Sequence, residues 1–201
     1  NNVSKTLKDD LSVEIKNGSK LSIAAACFSI YAFQELKNEL TNIDELRFIF
    51  TSPTFVTEKA KKEKREFYIP RLNRERSLYG TEFEIKLRNE LTQKAIAKEC
   101  AEWIREKVTF KSNVSDKSIQ GQMVVDNVGY TPIDGFTTVE LGCEKGNSIS
   151  TTIVKDESLA QTLLRDFNEI WNDSKVLQEV TDEVIDNITA AYNENSPDFI
   201  Y

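Results

Sequence analysis

The chain has 201 residues, of which 39% are apolar and 29% charged, so it is long enough to bury one core of ordinary density. Its longest apolar stretch, LSIAAACFSIYAF, is too short for a transmembrane helix and lacks the basic flank of a signal peptide, which predicts a cytoplasmic protein with no membrane partner. The cysteines, Cys27, Cys100 and Cys143, are widely spaced and include no CxxC pair, which argues against a disulfide framework and a zinc site.

The organisation along the chain suggests one main domain. Met123 is the single methionine and the chain opens with NNVSKTLKDD, so we expect it to be a piece of a larger protein. We expect the domain to cover residues 1–175, and a C-terminal helix and tail to cover residues 176–201.

The first recognisable unit is a strand, a helix and a second strand. An apolar run of strand length covers residues 21–28, and residues 31–40 place apolar side chains at helical spacing. Residues 45–52, ELRFIFTS, predict the next strand, which Pro53 ends. Because the crossover between the two strands is short and helical, we expect them to be parallel neighbours.

A basic excursion then covers residues 54–80. Within it, residues 58–76 contain eight basic and four acidic residues in a chain whose net charge is −7, so this segment is about +4 and the remainder about −11. Any nucleic acid would have to bind here, where cations alternate with Phe67 and Tyr68. A solvated helix of mixed charge is the alternative. The candidate DNA-binding residues are Lys59, Lys61, Lys62, Lys64, Arg65, Arg71, Arg74 and Arg76.

The second half of the chain alternates less regularly. Residues 81–107 predict a long helix that opens with a Thr81–Glu84 capping box. The later pattern predicts strands over residues 108–112, 122–127, 135–142 and 149–156, and helices over residues 157–171 and 176–192. We therefore expect an α/β fold with a mixed central sheet flanked by helices and with a C-terminal helical extension.

The helix over residues 157–171 carries an apolar stripe. Leu159, Leu163, Phe167 and Trp171 recur at helical spacing. We expect the aromatic residues Trp103, Phe167 and Trp171 to be core residues rather than the walls of a ligand site.

Four segments together are similar to one known family. They are LSIAAACFSIYAFQELKNELTNIDELRFIFT as the first strand–helix–strand unit, IAKECAEWIREKVTFKS as the long helix and next strand, GFTTVELG as a turn, and DFNEIWND as a terminal helix with Phe167 and Trp171. This order resembles the phospholipase D-like domain of the HxKxxxxD phosphodiesterases and nucleases. The resemblance covers residues 11–173 and implies a catalytic hairpin between VTFKS and GFTT.

The hairpin that the resemblance implies lacks the residues of the reaction. The stretch IQGQMVVDN places Gln120 at the histidine, Gln122 at the lysine and Asn127 at the aspartate of HxKxxxxD. The family's chemistry uses one imidazole as nucleophile and another as proton donor, and an amide can do neither. Because the chain contains no histidine, we expect no catalytic residue in it.

The remaining polar residues indicate neither a metal nor a cofactor. Acidic residues such as Glu82 and Asp186 fall on predicted helix faces, where solvated carboxylates are usual, and the glycines lack the spacing of a phosphate-binding loop.

Three functional hypotheses follow. The resemblance implies a catalytically inactive module of a larger bacterial protein, of the kind that precedes helicase-like ATPase domains in DNA repair or restriction, with DNA or the remaining domains of the parent protein as partners. A second hypothesis is half of a nuclease site that another domain or subunit completes. A third is an interaction domain that forms a homodimer.

Overall fold

The computed structural model describes residues 5–54, 90–143 and 152–192. The helices in these ranges are α1 (Leu7–Glu14), α2 (Ile30–Glu35), α3 (Lys37–Leu40), α4 (Glu90–Lys107), α5 (Thr138–Leu141), α6 (Glu157–Trp171) and α7 (Thr181–Tyr192). The strands are β1 (Lys20–Ala25), β2 (Glu45–Phe50), β3 (Val108–Asn113), β4 (Gln122–Val125), β5 (Val128–Thr131), β6 (Thr152–Val154) and β7 (Leu177–Glu179).

The described strands form one mixed sheet in the order β6-β5-β4-β1-β2-β3-β7. The three central strands β1, β2 and β3 are parallel, as predicted for the first strand–helix–strand unit. The pairs of β4 with β1, β5 with β4, β6 with β5, and β7 with β3 are antiparallel. The predicted α/β class with a mixed central sheet is therefore confirmed.

The larger core lies on the face of the sheet that α1, α2, α3, α4 and α7 cover. Alternate residues of each central strand point to this face, because successive side chains of a strand point in opposite directions. They meet Phe28 and Phe136 from two loops in a cluster of stacked and edge-on rings. The strand residues on this face are Leu21, Ile23 and Ala25 of β1, Leu46, Phe48 and Phe50 of β2, and Val108 and Phe110 of β3.

The opposite face is covered by α6 alone among the described helices. This helix starts at the N-cap Asp156, whose carboxylate accepts from the Leu159 N–H at 3.0 Å, and it packs Phe167 against Ala24 and Ile49. Phe167 is 1% exposed, which confirms it as a core residue. Leu159 was expected in the same stripe, but it is 58% exposed because its neighbour Ala160 faces the sheet instead.

Two predicted elements are wrong. The strand expected over residues 135–142 is the helix α5, which Thr137 caps and Gly142 ends with a φ of +81°. The single helix expected over residues 176–192 is the strand β7 followed by α7. Val180, Val184 and Ile188 belong to the larger core, so this C-terminal segment contributes to the same sheet and the same core as the rest.

Several predictions fall on residues outside those described. They include the basic excursion beyond Thr54, every candidate DNA-binding residue and the Thr81–Glu84 capping box. Within the described ranges, no helix is both long and apolar enough to cross a membrane.

Candidate functional site

The candidate site is the edge of the sheet where the parallel strands end. Ligands of open α/β sheets bind at the carboxyl ends of the strands. The strands β1, β2 and β3 end there, and β4 begins there because Gln122 pairs with Ala24 in the antiparallel direction. The structure thus brings the start of the β4–β5 hairpin to the edge where chemistry would be expected.

The three residues that the resemblance places at the catalytic positions do not all converge. Gln120 is exposed just before β4, whereas Gln122 is half-buried and its Nε2 donates to the Leu163 carbonyl of α6 at 3.1 Å. Asn127 is exposed in the turn at the far end of β4, roughly 15 Å along the strand from Gln122. Asn127 therefore cannot act on the same substrate atom as Gln122.

The hairpin turn is built for a structural role. Its first residue, Asp126, has a φ of +49° in the left-handed region that Asp and Asn tolerate. The Asp126 carboxylate accepts hydrogen bonds from Ser19 Oγ at 2.7 Å and from the Lys20 N–H at 3.0 Å. This carboxylate therefore holds the turn against the start of β1.

Backbone atoms fill the space beside Gln120. The Gly121 carbonyl accepts from the Ile133 N–H at 3.0 Å, and a Cβ at Gly121 would lie 1.6 Å from the Ile133 oxygen, so only glycine fits there. The Gly135 backbone also lies close to the Cys27 side chain, since a Cβ there would lie 2.6 Å from Sγ. These contacts leave no room for a bulky side chain at that point of the edge.

A closed network of polar groups holds the ends of β2 and β3. Ser112 Oγ accepts from the Thr54 N–H at 2.7 Å. Asn113 Nδ2 donates to the carbonyls of Thr51 at 3.0 Å and Lys117 at 2.8 Å, while its Oδ1 accepts from Ser115. Because these side chains are buried and bonded to backbone, they anchor the loops rather than offer free groups to a ligand.

One carboxyl in the segment that follows the hairpin, Glu140 of α5, has a shifted pKa. Burial raises the pKa of Glu140, while a hydrogen bond from the Asp134 backbone opposes the shift. Glu140 has no histidine partner, because the chain contains no histidine. In the residues that the structure describes, no group of three or more Cys, Asp or Glu side chains could hold a metal ion.

A second polar cluster lies on the α6 face and was not predicted. The Arg47 guanidinium carbon lies 5.0 Å from the Phe167 ring centre and 5.5 Å from that of Trp171. Lys111 Nζ lies 4.4 Å from the Trp171 ring centre and donates to the Trp171 carbonyl at 2.9 Å. Trp171 is therefore half-buried between cations rather than a plain core residue. The sequence did contain a signal for this cluster, because each of two apolar strands carries one cation, Arg47 in β2 and Lys111 in β3.

Comparisons with protein-family models, with curated proteins and with solved structures find no match to this chain.

Proposed function

We propose that this chain is a catalytically inactive phospholipase D-like module of a larger cytoplasmic bacterial protein, of the DNA helicase or restriction-repair type, and that it binds DNA without cleaving it. The observation that carries the proposal is the β4–β5 hairpin. Its start, at the carboxyl edge of the sheet, holds the amides Gln120 and Gln122, and its turn, at the opposite edge, holds the bonded carboxylate Asp126, where the resemblance implies catalytic groups.

The order of elements supports the resemblance. The unit β1–α2–β2 is followed by α4 and β3, by the hairpin, by the short α5 in place of the family's turn, by β6, and by α6 with its Phe167–Trp171 pair. The two rings stack with centres 5.7 Å apart, and they pack on the sheet at the end of α6.

The hydrogen bonds of the hairpin support the proposal that the chain is catalytically inactive. Gln122 is bonded to α6 and Asp126 to the start of β1, so both serve the fold. Gln120 is exposed and cannot act as a nucleophile or a general acid, because an amide does not titrate near neutral pH.

The charge of the basic segment supports DNA as the partner. The described chain leaves the sheet at Thr54, which is 3% exposed and bonded to Ser112 at the carboxyl edge. Residues 58–76, with a local charge of about +4, begin four residues after Thr54 in the sequence.

Fluorescence anisotropy with a labelled 20-base-pair duplex at about 50 mM salt tests the proposal. We expect weak binding whose log-log salt slope is about −0.9 for each phosphate contact. The variant Lys61→Glu/Lys62→Glu/Arg65→Glu should lose most of the binding and flatten the slope.

A matched control variant makes the same change in net charge at a different part of the chain. The variant Lys94→Glu/Lys98→Glu/Arg105→Glu alters three cations of α4 and should bind nearly as well as the parent chain. Equal loss in both triple variants would mean that net charge alone governs binding. No binding by the parent chain would favour the interaction domain over the DNA-binding module.

A further inference from the structure

The α6 face of the sheet carries a patch of cationic and polar side chains on adjacent strands. Arg47 and Thr109 are register partners on β2 and β3, and Lys111 lies two residues further along β3. These three side chains and Trp171 are each half-buried, so all four retain contact with solvent. We refer to these four residues as the cationic patch.

The two cations of the patch have more N–H donors than partners. A guanidinium carries five N–H groups and an ammonium three. Arg47 Nη2 donates to Ser22 Oγ at 2.9 Å, and Lys111 Nζ donates to the Trp171 carbonyl at 2.9 Å. Arg47 Nε is buried and has no hydrogen-bond partner. Native structures pair nearly all such donors, so this guanidinium is incompletely satisfied.

Neither cation has a carboxylate partner at ion-pair distance among the described residues, whose salt bridges all involve other side chains. Burial lowers the pKa of Arg47, and the Glu45 carboxylate opposes that shift from two residues along β2. Cation–π contacts with the faces of Phe167 and Trp171 stabilise part of the positive charge of Arg47 and Lys111. An anion bound to a half-buried cation that has no carboxylate at ion-pair distance is stabilised more strongly than the same ion pair in water.

A purely structural role explains only part of the patch. Lys111 donates to a carbonyl at the carboxyl end of α6, where a cation stabilises the helix dipole. Arg47 makes no such bond to the helix, and an apolar side chain would fill the space between Phe167 and Ser22 without the cost of burying a charge.

We propose that the cationic patch binds a phosphate group, contributed by the phosphodiester of a nucleic-acid strand, between Arg47 and Lys111. A phosphate offers several oxygen acceptors, which suits the Arg47 Nη N–H groups that have no partner, the remaining N–H groups of the Lys111 ammonium and the Thr109 hydroxyl. The nucleic-acid source rests on the proposed function, whereas the phosphate site itself rests only on the patch.

The site is tested first with inorganic phosphate and tryptophan fluorescence. The chain has two tryptophans, Trp103 and Trp171. Emission from a Trp103→Phe protein therefore reports on Trp171 alone. We expect a saturable change as sodium phosphate is added, and no such change with sodium chloride at equal ionic strength. Adding Arg47→Gln should weaken the response about ten- to a hundredfold, the loss typical of a hydrogen bond to a charged group.

Two further variants keep the test decisive. Arg105→Gln removes the same charge from an exposed position on α4 and should leave phosphate binding unchanged. If Arg47→Gln does not fold, Arg47→Lys keeps the charge but loses the planar fork, and it should still bind phosphate more weakly than the parent. A folded parent without a saturable response, or Arg47 variants that bind phosphate equally well, would overturn the site.

A twelve-residue oligothymidylate then identifies the source of the phosphate. Competition between this oligomer and inorganic phosphate for the Trp171 response supports a phosphodiester ligand. Phosphate binding without competition overturns the nucleic-acid source and assigns the patch to a free phosphate. The two proposals can fail separately. If the Lys61→Glu/Lys62→Glu/Arg65→Glu variant loses DNA binding but keeps the phosphate response of Trp171, the phosphate site is independent of the basic segment.

Discussion

Replacing Tyr130 by Phe should destabilise the fold by a predictable amount. Tyr130 on β5 is completely buried, and its O–H donates to Asp10 Oδ2 of α1 at 2.6 Å. A hydrogen bond to a charged group contributes about 1.5–3 kcal/mol. Because Lys5 Nζ and Lys155 Nζ still lie 3.3 and 3.6 Å from the other Asp10 oxygen, we expect a loss of about 2 kcal/mol.

The assay is thermal unfolding followed by calorimetry. For a domain of this size, a loss of about 2 kcal/mol lowers Tm by roughly 4–8 °C. A double-mutant cycle with Asp10→Asn isolates the pair, and the double variant should be more stable than the sum of the two single losses predicts. Additive single effects, or a Tyr130→Phe protein whose Tm is unchanged within about 1 °C, would refute the argument.

The same pair predicts a pH dependence. Burial raises the pKa of Asp10, but hydrogen bonds from Tyr130 and Lys5 and the charge of Lys155 outweigh it, so this pKa lies below the ordinary value of 3.8. A carboxyl with a lowered pKa stabilises the fold above the unfolded-state value, and this stability is lost as the pH falls through the folded-state value. The difference in Tm between parent and Tyr130→Phe should therefore shrink below about pH 3.8.

Three other substitutions test the packing and the candidate site. Phe167→Ala should cost about 3–5 kcal/mol, and Trp171→Ala clearly less because that ring is half-buried; equal denaturant midpoints for the two would contradict this. Gly121→Ala should yield little folded protein, because its Cβ would lie 1.6 Å from the Ile133 oxygen; a normal near-ultraviolet spectrum would exclude that clash. Glu140→Gln should raise Tm at neutral pH and lose this advantage at acidic pH, because burial raises the pKa of Glu140 and folding then favours the protonated form; a constant advantage would contradict it.

The strands and helices predicted correctly are those with strong local patterns. The central strands are apolar runs bounded by turns, and α6 has an N-cap at Asp156 and a stripe that repeats over four turns. For these elements, local sequence and tertiary packing favour the same structure, so periodicity alone is sufficient to predict them.

The errors arose where local and long-range signals compete. Residues 138–141 are rich in β-branched side chains, which favour a strand, but the caps at Thr137 and Gly142 close one helical turn. The strand β7 has three residues and forms only through pairing with β3, far away in sequence, so the helical spacing of Val176, Val180 and Val184 concealed it. Such pairings cannot be read from a local window.

The candidate site was only partly predictable for the same reason. The absence of histidine is visible in the sequence and decides against the family's chemistry. The stacking of Arg47 and Lys111 on Trp171 depends on how α6 crosses the sheet, and no spacing along the chain encodes that contact.

Phosphodiester hydrolysis is the most direct test of the central proposal, which is that this chain has no catalytic activity on phosphodiesters. We expect no release of nitrophenol from bis-nitrophenyl phosphate above a heat-denatured control, with or without added divalent metal. Release that is proportional to protein concentration, and that is lost when Gln120 and Gln122 are both replaced by Ala, would contradict the account.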